Sequence, residues 1–325
     1  MFNATRFSII HALAFIGCVA CSTAALAQAA YPSRPLRLIV PFAAGGSAET
    51  IARIIMQKTA TELGQNVVIE NRAGANSNIG AELVAHASAD GYTALYNTSS
   101  IVFNMYIYPK LGYDTFRDFA PVKLTAVVPQ VLVVIPALPV RTLQDFITHV
   151  RTQAGQLNYA SVGHGNIAHM TTVLFLKSHK LDAQHVSYNS APTAYGDLLG
   201  GRVQFYFATV SSAAPFVNDN RLRAIAVSSL ARSSALPDVP TLHESGMPKF
   251  EAGAWSGVLV PAKTPTAAIN TLNAAILRAL KDQGVVAQLE RQGTMTLGKS
   301  GEEYGRYLRS EHERWGRIIR EIGMQ

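Results

Sequence analysis

A pair of glycines stands where an apolar run gives way to a helical pattern near the start of the chain. The segment Pro41-Phe-Ala-Ala-Gly-Gly46 is followed by Ser47 and then by Glu49. Paired glycines let backbone N–H groups approach a ligand closely, and a helix N-terminus carries partial positive charge, so this turn suits an anion. No Lys follows the glycines, which excludes a P-loop. Simple chain reversal explains the spacing equally well, and Glu49 would then be an ordinary first-turn acid.

A second glycine turn, Gly163-His-Gly165, follows Ser161 and precedes Asn166. With Ala168 it spells G-x-G-x-x-A, so a dinucleotide-binding loop is one interpretation. That motif belongs at the start of a nucleotide-binding domain, whereas this copy lies in the middle of the chain. The same arrangement of glycines before a helix suits a carboxylate.

The nine histidines form no recognisable catalytic or metal-binding pattern. His164 and His169 are five residues apart, unlike the i, i+4 pair of a helical zinc site, and neither H-E-x-x-H nor G-x-S-x-G occurs. His169, near the start of a predicted helix, is better explained as a hydrogen-bonded structural residue. Spacing assigns no set of nucleophile, base and orienting group, so we expect no catalysis, no metal and no cofactor.

Short β-branched runs alternate with helical patterns around both turns, which is typical of a mostly parallel sheet covered by helices. The predicted strands are Leu36–Phe42, Val67–Ile69, Thr93–Tyr96, Val131–Ile135, Leu157–Ser161, His185–Tyr188, Val203–Phe207, Leu222–Val227 and Trp255–Val260. The predicted helices are Ser47–Leu63, Asn78–Ala87, Ala168–Lys177, Thr193–Leu199, Pro265–Asp282 and Glu302–Ile322.

These elements predict two α/β units. The last two helices need a sheet to cover, so we expect the chain to leave the first unit near Val131, build the second, and return near Ala254. Lobe 1 would then comprise residues 28–130 plus 250–325, and lobe 2 residues 131–249. Two sequential domains without crossing strands are the alternative.

A cleft between two such lobes has a predictable wall. Ligands of open α/β sheets bind beyond the carboxyl ends of the strands. The loops that follow Phe42, Tyr96, Ser161 and Phe207 would therefore line the cleft.

The composition is that of an ordinary globular protein. With 48% apolar and 15% charged residues, the chain is neither disordered nor fibrous. Its 28 Lys and Arg residues exceed its 21 Asp and Glu residues, but no basic run is interleaved with aromatic residues. Nucleic acid is therefore not an expected partner.

The first residues predict export. One Arg, the apolar run Phe7–Ala20 and the small-residue site Ala25-Leu-Ala27 are typical of a signal peptide over residues 1–27. Both cysteines, Cys18 and Cys21, lie inside it, so the mature chain would contain no thiol and no disulfide. A lipid anchor on one of these cysteines is the rival interpretation.

Seven motifs, in order along the chain, resemble the Bug family, the "Bordetella uptake gene" receptors that are also called tripartite tricarboxylate transporter substrate-binding proteins. The resemblance runs in register from Tyr31 almost to the C-terminus. It implies an α/β fold of the type II-like periplasmic binding proteins, in which two lobes close on a small carboxylate without catalysis. The motifs are Tyr31–Gly46, Val68–Ala75, Asn78–Glu82, Asp90–Thr93, Leu157–Ser161, Asp197–Val203 and Leu236–Thr241.

The resemblance also implies how the ligand is held, through backbone N–H groups, hydroxyls and ordered waters. The expected ligand-binding residues are Phe42, Ala44, Gly45, Gly46, Ser47, Glu49, Ser99, Ser161, Gly163, Gly165, Asn166 and Thr209. Family members usually have Asp where this chain has Glu49, and Asp-Asn where it has Ala208-Thr209. Because of these departures, a dicarboxylate, a tricarboxylate, an amino-dicarboxylate and an aromatic acid all stay open as ligands.

A monomeric periplasmic receptor is the function that the sequence predicts, with uptake or sensing as its purpose. Its partners would be the small carboxylate and, where one exists, a membrane permease or a sensor protein. The alternatives are a secreted NAD-dependent oxidoreductase that uses the Gly163-x-Gly165 loop, and a secreted hydrolase.

Overall fold

The computed structural model describes residues 31–323. The predicted signal peptide at residues 1–27 lies outside the described residues. None of the helices in the part of the chain that is described is long and apolar enough to cross a membrane. The helices are α1 (Ser47–Leu63), α2 (Asn78–Ala85), α3 (Ser100–Ile107), α4 (Leu143–Thr152), α5 (Ile167–Ser178), α6 (Ala191–Leu199), α7 (Val210–Asn218), α8 (Thr266–Lys281), α9 (Gln283–Glu290) and α10 (Gly301–Ile322).

The strands are β1 (Leu36–Val40), β2 (Val67–Asn71), β3 (Thr93–Thr98), β4 (Phe119–Val134), β5 (Asn158–Ser161), β6 (Gln184–Ser187), β7 (Phe205–Thr209), β8 (Arg223–Val227), β9 (Gly253–Pro261) and β10 (Met295–Lys299). They form one sheet in the order β2-β1-β3-β9-β4-β7-β5-β6, and β8 and β10 also pair with β4.

The expectation of a mostly parallel sheet is wrong for the centre of this sheet. Parallel pairs occur in two outer groups, where β1 pairs with β2 and β3, and β5 pairs with β6 and β7. In the middle, β9 runs antiparallel to β3 and β4, and β4 runs antiparallel to β7, β8 and β10. The reason is that the chain goes out along β4 and comes back along β9, so these two strands have opposite directions.

Strand β4 is the longest strand of the described residues, and the sequence predicted it only in part, whereas β10 was not predicted at all. Only the end of β4, Val131–Ile135, was predicted. Its earlier part carries Pro121 and Pro129, which cannot donate to a ladder and so weaken a strand pattern. The fold accommodates this part with two register shifts against β9, between Pro121 and Lys123 and between Leu124 and Ala126.

Two hydrophobic clusters lie on either side of this strand. One buries Ile39, Leu95 and Trp255 together with residues of α10, and the other buries Leu132 and Phe205 together with residues of α4 and α5. Helices cover both clusters, and β4 contributes residues to each of them.

The first cluster contains one buried carboxylate. Oε2 of Glu311, on α10, accepts hydrogen bonds from the indole Nε1 of Trp255 at 3.0 Å and from that of Trp315 at 3.1 Å. The Glu311 Oε1 atom accepts from Arg314 at 3.2 Å. Because both indoles are buried, this carboxylate satisfies two donors that have no access to water.

Replacing Glu311 by Leu should lower the free energy of unfolding by about 2–4 kcal/mol, because two buried indole N–H groups lose their acceptor. Glu302→Leu, on the same helix, is the control. Its carboxylate is 83% exposed and pairs with Arg306 in water, so its loss should cost less than about 1 kcal/mol. Urea unfolding of the native protein and of the two variants measures both changes. Equal losses of unfolding free energy in Glu311→Leu and Glu302→Leu would contradict the structural role of the Glu311 carboxylate.

Candidate functional site

A cavity of about 420 Å³ lies beyond the carboxyl ends of the strands. The loops after β1, β3, β5 and β7, which the sequence analysis placed at a cleft, all contribute to its wall, and the loop after β6 joins them. Residues of β4 and β9, among them Val128 and Ser256, form part of its floor. The cavity therefore draws on both groups of parallel strands.

Six helices begin at this wall. Their N-cap or first residues that line the cavity are Gly46 and Ser47 for α1, Ser77 for α2, Ser100 for α3, Asn166 for α5, Ser190 for α6 and Thr209 for α7. The first N–H groups of a helix have no partner within the helix and carry partial positive charge. Converging N-termini make the cavity a site for negative charge.

Four of these N-termini lack a side-chain cap. The N-cap residues Gly46, Ser77, Ser99 and Thr209 make no capping hydrogen bond, whereas Asn166 accepts from the backbone N–H of His169 and Ser190 from that of Thr193. N–H groups without a cap are available to a ligand. At α2 and α3 the first N–H already has an acceptor, since Asn78 donates to the carbonyl of Ala75 and Ser100 to Oγ1 of Thr98. Helices α1 and α7 are therefore the ones best suited to bind an anion.

No Asp, Glu, Lys, Arg or His lines the cavity within residues 31–323. Its polar lining consists of hydroxyls and amides, including those of Ser47, Asn76, Tyr188, Tyr206 and Ser256. Burial raises the pKa of the Tyr188 hydroxyl to about 12, and this hydroxyl donates to Oδ2 of Asp197 at 2.8 Å. Burial raises the pKa of Tyr206 as well, so its phenol is a neutral donor near pH 7. An anion here meets dipoles and hydroxyls rather than a cation.

The structure brings half of the predicted ligand-binding residues to this wall. Whether they contact a ligand stays a prediction. The residues that line the cavity are Phe42, Gly46, Ser47, Gly163, Asn166 and Thr209.

The other predicted residues do not line the cavity, and most have another role. The Ser161 hydroxyl pairs with Nε2 of His185 at 2.6 Å. The Gly165 N–H donates to Nδ1 of His169 at 3.0 Å. Ser99 is buried at the N-terminus of α3, where its N–H donates to the carbonyl of Trp255. The remaining predicted residues outside the lining are Ala44, Gly45 and Glu49.

The two glycines of the first turn have different roles. Gly45 has φ +78°, a left-handed conformation that strains other residues. Gly46 has φ −88°, which any residue adopts, and it lines the cavity. Conformation therefore requires glycine at Gly45, whereas at Gly46 the glycine leaves space beside the start of α1.

Glu49 faces its own helix rather than the cavity. Arg53, one turn later on α1, donates from Nε to Oε1 of Glu49 at 2.7 Å, and its Nη2 contacts the same oxygen. The expectation that Glu49 binds the ligand is not supported by this geometry, because its carboxylate already has a partner.

Sequence reasoning missed several residues of the wall. Asn76 has φ 51° and holds its place by donating to Oδ1 of Asn104 at 2.8 Å. Ser212 links Thr209 and Tyr195 through hydroxyl contacts of 2.8 Å each. The Gly-Ala-Asn-Ser-Asn run at residues 74–78 was a usable turn signal, but the hydroxyl network depends on how distant strands meet.

The fold adds His185 to the two histidines that the sequence analysis weighed. The nearest ring nitrogens of His164, His169 and His185 lie within 4.8 Å of one another. The rings of His169 and His185 stack at 3.8 Å and 9°, so their in-plane lone pairs do not converge on one point. Burial, helped by the neighbouring histidines, lowers the pKa of His169 to about 3 and that of His185 to about 4. Both rings are neutral packing partners of the 161–169 loop near pH 7.

Replacing Glu49 by Gln should change the ratio of the affinities for aspartate and succinate, or for glutamate and glutarate, by less than twofold, because the carboxylate lies outside the cavity. Ser47→Ala, in the same helical turn, removes a hydroxyl from the wall and should weaken binding of the acids about threefold to tenfold. Calorimetric titration measures both effects. A large change of the ratio in Glu49→Gln would place this carboxylate in the site.

Comparison with known proteins agrees with this geometry. The family model described as "Tripartite tricarboxylate transporter family receptor", TctC, matches residues 51–324. The solved structure of the periplasmic binding protein BugD superposes with a TM-score of 0.86 at 28% sequence identity, over 91% of this chain and 99% of that one.

Two solved structures of similar proteins contain acids. Rpa4515 of R. palustris with adipate has a TM-score of 0.87 and 32% identity, over 90% of this chain and 98% of that one. MatC from Rhodopseudomonas palustris with bound malate has a TM-score of 0.84 and 31% identity, over 89% of this chain and all of that one.

These matches confirm the resemblance and the fold that the sequence predicted, and they remove the oxidoreductase and the hydrolase as alternatives, since the family consists of non-catalytic receptors. The chain belongs to the TctC (Bug) family of tripartite tricarboxylate transporter receptors and is a solute-binding receptor with the fold of the periplasmic binding proteins.

Proposed function

We propose that this receptor captures a small carboxylate in the 420 Å³ cavity and encloses it between two lobes, for uptake or sensing. The observation that carries the proposal is the convergence of six helix N-termini on a cavity without charged side chains. Each N-terminus contributes about 0.3–1 kcal/mol to an exposed anion and up to about 2 kcal/mol when partly buried. Several together are sufficient to hold a carboxylate.

The expected binding mode uses two opposed helix starts. Helix α1 begins at the loop after β1, α7 begins at the end of β7, and both starts line the cavity. Their first turns approach each other closely, since the hydroxyls of Ser47 and Ser211 lie 2.5 Å apart. An acid with a carboxylate near each helix start would have N–H donors at both ends, which favours a dicarboxylate, the class to which adipate and malate of the similar proteins belong.

We propose the lobe boundaries that the sequence predicted, with residues 28–130 plus 250–325 in one lobe and 131–249 in the other. The pairing of β4 supports them. Its partner is β9 up to Pro129, opposite Gly253, and becomes β7 from Gln130, opposite Thr209. A strand that changes partner between two hydrophobic clusters is a suitable hinge.

We also propose that the mature chain begins at residue 28 and acts in the periplasm as a monomer. The family supports a periplasmic location, and the signal pattern of residues 1–27 supports export. A membrane permease or a sensor would receive the loaded receptor.

The binding proposal predicts that a panel of small acids raises the midpoint of thermal unfolding of the native receptor. A ligand at 100 times its Kd adds about 2.7 kcal/mol to the stability of the folded state. Gly46→Val places three methyl-sized groups beside the start of α1 and should abolish the shift while the protein stays folded. Gly196→Val, in open space on α6, should keep it. Absence of a shift with every acid, or full binding by Gly46→Val, would contradict the proposal.

Closure predicts a change of shape. The acid that gives the largest thermal shift should reduce the radius of gyration in small-angle scattering, because it draws the two lobes together. Gly46→Val with the same acid should show no contraction. An unchanged radius at saturation of the native protein would argue against a hinge at β4.

A further inference from the structure

Gln130 occupies the point of β4 where the strand changes partner, and it lines the cavity. Its side chain is fully buried. The backbone is satisfied on both sides, since its N–H donates to Oγ of Ser228 at 2.8 Å and its carbonyl accepts from the N–H of Ser228 at 2.8 Å. Whatever the side chain does, the strand does not need it for pairing.

Neither polar atom of the Gln130 side chain, Oε1 or Nε2, has a hydrogen-bond partner among the described residues. The hydroxyl of its cross-strand neighbour Thr209 pairs with Ser212 at 2.8 Å and makes no hydrogen bond to the Gln130 amide. A buried amide without partners is costly, and proteins rarely keep one without a use.

A second glutamine shows what a structural role looks like in the same protein. Oε1 of Gln204 accepts from the N–H of Asn158, and Nε2 of Gln204 donates to the carbonyl of Gly201, each at 2.8 Å. Both ends of that amide are used to hold a turn. Gln130 borders the cavity with both ends unused, so a polar group bound in the cavity is the candidate partner for its amide.

We infer that Gln130 selects, among small acids, those that carry a hydroxyl beside a carboxylate. This inference rests on the proposed function. A carboxylate can accept from Nε2, but an ionised acid without other polar groups has no donor for Oε1. A hydroxyl on the neighbouring carbon supplies that donor, so a hydroxy acid satisfies both ends of the amide at once.

An ammonium group would also donate, but the cavity is unsuited to it. No carboxylate lines the cavity in the described part of the chain, and the carboxylate of Glu49 is held by Arg53. A buried ammonium without an acidic partner loses its hydration and gains no ion pair. The structure therefore favours a neutral donor and disfavours amino-dicarboxylates.

The test is calorimetric titration of acids that differ by one group, malate against succinate and 2-hydroxyglutarate against glutarate, with aspartate as the charged donor. The pair that binds the native receptor more tightly is the one to compare. Its hydroxy acid should bind about tenfold more tightly than the acid without the hydroxyl, and more tightly than aspartate. In Gln130→Met, which keeps the length of the side chain, the ratio should fall to within about twofold. Gln204→Met should leave the ratio unchanged.

Thermal unfolding without ligand gives a second readout that a structural role would not produce. Gln130→Met removes an amide without partners and should raise the midpoint by about 2–4 °C, whereas Gln204→Met should lower it. Three results would overturn the inference. The native receptor could bind the two acids of each pair with equal affinity, or Gln130→Met could keep the native affinity ratio. Gln130→Met could also lower the midpoint of thermal unfolding, as Gln204→Met is expected to do. Those results leave acid binding intact, whereas failure of every acid to bind would overturn the proposed function as well.

Discussion

An anion in this receptor must be held without a cation. The wall of the cavity contains no charged side chain within residues 31–323, so the positive potential has to come from backbone N–H groups at helix starts. That requirement explains why six helices begin at one place and why four of them lack a side-chain cap.

Such a site also requires that helix starts from distant parts of the chain face each other. The crossing strands β4 and β9 make this possible. Strand β4 goes out and β9 returns, so two groups of parallel strands direct their carboxyl ends toward one space. The antiparallel centre is therefore what lets α1 and α7 approach to the distance of the Ser47–Ser211 contact. Because β4 changes partner at Gln130, the same strand carries the proposed hinge and a residue of the wall.

Local signals predicted much of this arrangement, and distant contacts account for what was missed. Glycine turns before amphipathic patterns identified the loops at Gly46 and Gly163, because backbone conformation is a local property. The first part of β4 was missed because its prolines hide a strand that is stabilised by pairing with the distant strands β9 and β10. The role of Glu49 depends on whether Arg53 or a ligand is its partner, and Gln130 gives no motif at all. Neither could be read from residue type alone.

The crystal structure of the native receptor with the acid that stabilises it most tests the central claim directly. The account predicts carboxylate oxygens about 2.7–3.2 Å from backbone nitrogens in the first turns of α1 and α7, with no Lys or Arg side chain in contact with the acid. A carboxylate bound by an arginine or lysine side chain, or an acid bound outside the cavity, would contradict it.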